Sequence, residues 1–299
     1  MSWAGQMQAD SRLTFDTLAR ANVEAGAHIM VHQQLLLVQT SENLGFAAGN
    51  NVALRYAANG GAYEYVWILN NDAIVECHAL SHLVYALEQD PTLAAVGSNL
   101  FHYDSSNELD SLGGGPFNAT FGIDTPYGED VEAENGMVRV DHVIGASMLV
   151  RTSVIRSVGL MDERYFLYRE ETDWCLRMRR HGWRLACCTR STVWHKRGGT
   201  VGRKTPTHDY YSVRNMLWLI KWYSPRTLLT VELYTFTRAM LPKVARLEFR
   251  RMRSVLKAFI DFHRGITGKV DLARLERPEP RAAHATETIK MSSQTRAGS

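Results

Sequence analysis

Between Leu35 and Val96, short apolar runs alternate with segments of helical periodicity, and no other feature restricts the fold as strongly. Leu35–Gln39 reads as a strand, and Phe46–Asn59 as a helix closed by Asn59-Gly60-Gly61. Tyr65–Leu69 reads as a buried strand ending at Asn70-Asn71-Asp72. His78–Gln89 carries apolar residues at 80, 83, 84 and 87, one face of a helix, and Leu93–Val96 returns to strand. This β-α-β-α-β order predicts an α/β domain whose mixed, mainly parallel sheet is flanked by helices.

Downstream, Asp104–Asn135 is rich in Gly, Asp, Ser, Pro and Glu and reads as a long loop containing a hairpin. Val143–Val150 is a strand and Thr152–Val158 a short helix. Glu170–His181 is a helix stopped by Gly182, and Trp183–Trp194 contains one or two strands. Residues 208–264 are largely helical. Ser11–Ala25 also reads as a helix, so the chain is expected to begin inside its first βαβ unit and to lack its first strand or strands. The expected partition is a catalytic-type domain over 1–207, a basic helical extension over 208–270 and a disordered tail over 271–299.

The formal net charge of +3 hides an asymmetry. Residues 238–269 hold nine Lys/Arg and two Asp/Glu, so that stretch is +7 and the remainder −4. Basic residues interleaved with Phe249, Val255 and Leu256 suit an anionic membrane surface; the plain alternative is a helix packed on the body, the preferred reading for 211–223. No nucleic-acid motif accompanies the charge, so nucleic acid is not an expected partner. No run reaches the ~18 apolar residues of a spanning helix, and no signal peptide is evident. The four cysteines form no C-x-x-C pair, which argues against a zinc knuckle and for reduced thiols in the cytoplasm.

Four segments carry chemistry. Asp72 closes a buried strand, where α/β sheets bind ligands, and offers a hard oxygen to Mg²⁺ or Mn²⁺ on a diphosphate; Asn-Asn-Asp is equally good turn chemistry. Glu170, Glu171 and Asp173 open a helix, where its dipole favours them; clustered carboxylates also raise one another's pKa toward that of a general base. His195 ends a strand and can ligate a metal, although a lone His is more often structural. Asn43 through Asn51 places Gly45 and Gly49 at a helix start, which suits an anion or simple helix entry.

In this order the segments resemble the family 2 glycosyltransferases of GT-A fold, in particular the rhamnosyltransferase-like branch of bacterial polysaccharide synthesis. The resemblance spans roughly residues 35–220. Asn43–Asn51 is similar to N-L-G-F-A-x-G-N-N, and Asn70-Asn71-Asp72 stands at the family's D-x-D-like motif. Val143–Arg151 resembles its strand with a central glycine, Gly145, lining the sugar pocket. Phe166–Arg177 resembles F-L-Y-x-E-D-x-D-x-C-x-R, with Glu170-Glu171 in place of Glu-Asp. Trp194-His195 and Tyr210–Asn215 match two further segments. The resemblance implies an inverting transfer of a sugar, rhamnose in this branch, from a nucleotide diphosphate donor to a hydroxyl of a glycan or lipid-linked acceptor. Glu171 would be the base, with Glu170 and Asp173 beside it. Asn43, Gly45, Asn70, Asn71, Asp72 and Gly145 would hold the donor, and Asp72 with His195 a divalent cation. The expected location is the inner face of the cell membrane. A nucleotidyltransferase, or a non-catalytic membrane-associated remnant that binds a partner or glycan, are the competing readings.

Overall fold

The computed structural model describes residues 15–24, 35–60, 63–104, 108–128, 130–196 and 204–276. The chain opens with β1 (Phe15–Ala19), α1 (Arg20–Glu24), β2 (Leu35–Gln39), α2 (Gly45–Gly60), β3 (Tyr65–Leu69), β4 (Ala73–Val75), α3 (Ala79–Gln89) and β5 (Leu93–His102). The loop region contributes β6 (Leu109–Ser111), β7 (Gly114–Gly115), β8 (Phe117–Asn118), β9 (Ile123–Asp124), β10 (Met137–Arg139) and β11 (His142–Val143). β12 (Ser147–Arg151), α4 (Thr152–Val158), α5 (Glu170–Arg180) and β13 (Arg184–His195) complete the body. α6 (Pro206–Tyr223), α7 (Leu228–Ala245), α8 (Phe249–His263) and α9 (Ala273–Glu276) follow.

The main sheet runs β10-β13-β5-β12-β3, with β4 added to β13 and β6 to β5. The sheet is mixed, as expected, but its balance differs from the mainly parallel expectation. β3, β5 and β13 share one direction, yet β12 is inserted antiparallel between β3 and β5. Among the described strands of this sheet, β5 with β13 is therefore the parallel pairing. Sequence periodicity identifies strands but not which of them become neighbours. The expected hairpin in the long loop is β8–β9.

The helix expected over Ser11–Ala25 is corrected within its described part. Phe15–Ala19 is a strand paired in parallel with β2, and only Arg20–Glu24 is helical. Partner strands override weak local helix preference. Residues 11–14 and 25 lie outside the described residues, as does the tail expectation beyond Glu276; Ala273–Glu276 is a short helix.

Alternation along the strands gives each face its own core. Ile68, Met148, Val150 and Cys187 meet Leu54, Val154, Trp174 and Met178 of α2, α4 and α5. Val96, Leu149, Ala186 and Cys188 meet Leu83 and Leu87 of α3. A third core gathers α6, α7 and α8 around Tyr165 and Leu176 of the body, so the helical extension is packed against the site-bearing segment. As expected for 211–223, Tyr211, Leu217, Leu219 and Ile220 are buried.

The three helices are also tied by one buried carboxylate. Asp209 of α6 lies 3.0 Å from Lys243 of α7 and 2.6 Å from Arg251 of α8. Removing that anion leaves the buried Lys243 without its ionic partner, which costs on the order of 3–5 kcal/mol, whereas Arg251 keeps Glu248 at 2.6 Å. Asp209→Ala should therefore lower the stability measured by urea unfolding by about that amount. A loss under about 1 kcal/mol would mean that apolar packing alone holds the bundle.

Candidate active site

β13 crosses the whole sheet. Nine of its residues pair with β5, but Thr189–Ser191 loop out between the Cys188–Ser98 and Thr192–Asn99 pairings. Side chains of β5 brace the bulge: Asn99 Nδ2 donates to Thr189 O at 2.8 Å, and the Ser98 and Ser191 hydroxyls lie 2.8 Å apart. Beyond it, Val193, Trp194 and His195 pair with Val75, Ile74 and Ala73 of β4. Because Asp72 precedes Ala73, this register sets His195 beside Asp72.

The two residues converge at one sheet edge, with His195 Nε2 at 3.1 Å from Asp72 Oδ1. The Asn70 amide is 3.2 Å from the same nitrogen. Protonated at Nε2, the ring donates to Asp72 Oδ1; in the other tautomer that nitrogen offers its lone pair to the Asn70 amide or to a cation shared with Asp72. Two ligands of an octahedral ion at about 2.1 Å stand about 3.0 Å apart, so the spacing suits a shared divalent cation. The Asn70 amide, turned over, can present its oxygen as a third hard donor. The residues present thus fit such an ion. His195 Nδ1 is buried and has no partner among the described residues. Asn71 is exposed at the turn.

Residues 145–146 join this corner to the carboxylates. Asn70 N donates to Ala146 O at 3.1 Å. A Cβ on Gly145 would meet the Phe46 ring at 2.9 Å, so the missing side chain is what lets that ring approach, and it would stand at ordinary contact distance, 3.7 Å, from Glu171 Cβ. Gly45 has φ +79° and its α-carbon abuts Phe166 O, a position closed to larger residues. The Asn43 side chain accepts from Gly45 N at 2.9 Å, which shapes this loop rather than reaching outward.

Glu170 is 2 % exposed, and Oε2 of both Glu170 and Glu171 is buried without a hydrogen-bond partner. Burial pushes the Glu170 carboxyl well above its usual value, and the neighbouring Glu171 charge adds to this. Burial raises Glu171 as well, against opposing backbone hydrogen bonds and the Arg169 charge. Asp173 differs from the expectation of three carboxylates clustered at the site. It sits two positions beyond Glu171, about 200° around the helix, and faces α6. Arg177 Nε donates to its Oδ2 and the Tyr223 hydroxyl to its Oδ1, each at 2.8 Å.

Three neighbouring polar residues were not singled out by the sequence. Arg169 pairs with Asp124 of β9 at 2.6 Å, and Asp124 approaches His142 Nε2 at 3.9 Å. Burial opposes ionisation of Asp124, but the Arg169 guanidinium outweighs it and holds the carboxyl below its ordinary range. Arg169 stands inside the Phe166–Arg177 motif; Asp124 lies in a loop without periodicity, and no local signal marks it. Elsewhere, Glu76, Cys77 and His78 bring ligand atoms within 4.8 Å of one another, but Glu76 already accepts from Cys77 Sγ and His78 N.

An acid and a histidine meeting at the sheet edge, with two glutamates beyond a glycine, define the arrangement to be set beside known proteins. The profile described as "Glycosyltransferase like family 2" matches residues 17–216 of 299, and the chain belongs to that family. It is 25% identical over 159 residues to the low-salt glycan biosynthesis hexosyltransferase Agl10 of Haloferax volcanii, covering 52% of this chain and 50% of that one. It is 26% identical over 200 residues to the N-acetylglucosaminyl-diphospho-decaprenol L-rhamnosyltransferase of Mycobacterium tuberculosis, covering 61% and 65%. It is 23% identical over 252 residues to the dTDP-rhamnosyl transferase RfbF of Shigella flexneri, covering 79% and 81%. The chain thus spans half to under two thirds of the first two relatives. Among solved structures, GalNAc-T7 with UDP, GalNAc and Mn²⁺ gives a TM-score of 0.49 at 12% identity, covering 78% of this chain and 45% of that one.

The buried, unpartnered Glu170 carries a pH consequence. Its folded-state pKa is raised, so the folded chain binds a proton that the unfolded chain releases above about 4.5. Stability should therefore fall as pH rises from the ordinary carboxylate range through the raised value. Glu170→Gln should remove that slope, because a neutral amide carries no ionisation to disfavour at neutral pH. Thermal unfolding of both chains between pH 4 and 8 checks this; parallel curves would show that Glu170 finds a partner in solution.

Proposed function

We propose that the chain is an inverting glycosyltransferase that moves a sugar from a nucleotide diphosphate donor to a hydroxyl of a glycan or lipid-linked acceptor. The observation that carries this reading is the meeting of Asp72 and His195 at 3.1 Å on one side of Gly145, with buried Glu170 and half-buried Glu171 on the other. Glu171 takes the proton of the acceptor hydroxyl while that oxygen forms its bond to the anomeric carbon. On the opposite face the bond to the diphosphate breaks and the electron pair leaves with the nucleotide. A divalent cation, Mg²⁺ or Mn²⁺, held by Asp72 and His195 would neutralise the charge gathering on the leaving group. Asn70 and Asn71 of the turn, and the Asn43–Gly45 loop, border the donor. Asp173, with both oxygens engaged, orients α5. The names of two relatives support rhamnose as the sugar, and one of them supports dTDP as its carrier. A chain without chemistry to perform has no evident use for two carboxylates that each bury one oxygen without a partner, which weighs against the non-catalytic reading.

Transfer assays and calorimetry with Mn²⁺ and dTDP- or UDP-sugars test the assignment. Glu171→Gln should lower turnover by about 10²–10⁴-fold while sparing donor affinity, because it removes a base but keeps its shape. Asp72→Asn should instead abolish the Mn²⁺ dependence of donor binding. Near-normal turnover of Glu171→Gln would end its assignment as base.

We also propose that α7 and α8 rest on the anionic inner face of the cell membrane, as a cytoplasmic, peripheral enzyme acting on a lipid-linked acceptor would. No helix among the described residues is long and apolar enough to cross a membrane. Instead Leu229, Leu233, Leu241, Leu247 and Phe249 are 78%, 67%, 64%, 69% and 55% exposed. Arg238 and Arg246 stand among them. Each basic residue near anionic lipid contributes about 1 kcal/mol, less in salt. Phosphatidylglycerol vesicles should sediment the protein, phosphatidylcholine vesicles should not, and Leu233→Ser with Leu241→Ser should release it. A concentration-dependent dimer that ignores vesicles would assign this face to a second copy.

A further inference from the structure

The segment that delivers Glu170 and Glu171 has an unusual backbone. Phe166, Tyr168 and Arg169 have φ of +66°, +69° and +80°, left-handed values for three side-chain-bearing residues out of four. Such a segment persists only where its surroundings dictate it. The dictating groups come from α6. Asn215, fully buried, donates from Nδ2 to the carbonyls of Tyr165, Leu167 and Tyr168 at 2.9, 2.7 and 2.9 Å. Arg214, also fully buried, donates from Nη2 to Tyr165 O at 3.2 Å, from Nη1 to Gly268 O at 2.9 Å and from Nε to Asn215 Oδ1 at 3.0 Å. The one carbonyl of 165–168 that α6 does not hold, Phe166 O, accepts from Phe46 N of α2 at 2.8 Å.

The same network reaches the donor side. Gly268 N donates to Arg164 O, and Lys269 Nζ donates to Asn43 O at 2.9 Å. The irregular stretch after α8 thus straps the Asn43–Gly45 loop to the segment that carries the carboxylates.

We propose that Arg214 and Asn215 are positioning residues for the transfer reaction, holding the 165–169 segment with Phe166, Tyr168 and Arg169 left-handed so that α5 starts at Glu170 and Glu171 faces Gly145. The inference rests on the reading of Glu171 as the base. Without the clamp, the segment relaxes to ordinary backbone, the first turn of α5 shifts, and Glu171 loses both its aim and its dry surroundings. Neither residue touches substrate. Their effect is on where the carboxylate stands and how strongly it holds a proton.

The test uses Asn215→Ser and the conservative Arg214→Lys in the full chain, with kcat and donor affinity followed from pH 5 to 9 per mole of folded protein. Asn215→Ser should lower kcat about 100-fold, as expected for a displacement of about 1 Å at a reacting group, with donor affinity within about threefold of the native chain. Its rate profile should also turn at a lower pH than the native one, because a loosened Glu171 is better hydrated. Arg214→Lys, which keeps a charged donor, should fall between the two. A folded Asn215→Ser chain whose profile turns at the native pH would overturn the proposal, since a merely structural role changes the amount of active protein and not its titration. Hydrogen exchange on the native chain gives a readout needing no variant: the amide of Phe46 should be as protected as those of β5, and fast local exchange there would also overturn it. Glu171→Gln run alongside separates the two claims, because transfer surviving in that variant sinks the base assignment and leaves the clamp to the exchange data.

Discussion

The nine-residue ladder between β5 and β13 is the constraint on which the rest depends. It is the spine against which α3 packs on one side and α5 on the other, and it carries β13 from the core to the ligand edge of the sheet. Three residues are spent in a bulge before the ladder resumes, and that interruption fixes which residue arrives opposite Ala73. A register one residue different would turn His195 to the other face and leave Asp72 alone. The bulge is stabilised by Asn99 and by the Ser98–Ser191 contact, and Ser98 also meets Ser147, which accepts from Trp67 Nε1. A buried hydroxyl chain therefore links β3, β12, β5 and β13 just beneath the corner where Asp72 and His195 meet.

The carboxylate side obeys different physics. Helix α5 begins with Glu170, Glu171 and Asp173 in its first turn, where the helix dipole stabilises anions by roughly 0.3–1 kcal/mol each. Burial works the other way for all three and raises their pKa values. Only Asp173 is compensated by Arg177 and Tyr223, so the helix start separates one structural acid from two held away from solvent without partners. Left-handed backbone costs roughly 1–2 kcal/mol per residue with a side chain, and three such residues lead into this turn. Both costs fall on one short stretch, as expected where local stability is set aside for chemistry.

What could be read from the sequence follows the range of each interaction. Strand ends and helix starts are local, so the placement of Asp72, Glu171 and His195 at element boundaries was legible, as was a helical region after residue 208. The insertion of β12 between β3 and β5, and the β1–β2 pairing, depend on partners distant in the chain and leave no periodic trace. The direction of Asp173 follows from counting around a helix whose start had to be known to the residue. Asp124 was invisible because a loop has no period; only the fold brings it to Arg169. The left-handed Tyr168 and Arg169 defeat sequence reading outright, since positive φ is signalled by Gly or Asn and neither stands there.

The helical extension then takes on a different character from an appended basic tail. Its inner face supplies Arg214 and Asn215 to the carboxylate-bearing segment and Asp209 to the bundle, and the strap after α8 supplies Lys269 to the loop at Asn43. Its outer face leaves Leu229, Leu233, Leu241 and Leu247 exposed among arginines. The two faces belong to the same three helices, and Phe236 of α7 stacks edge-on against Phe259 of α8. Anything that seats on the outer face bears on helices whose opposite side fixes the backbone before Glu170. The packed core of α6, α7 and α8 thus sets the exposed leucines on one side of the helices and the reach of Asn215 to three carbonyls on the other. The basic, apolar exterior and the acidic interior are in that sense one device, joined through α6.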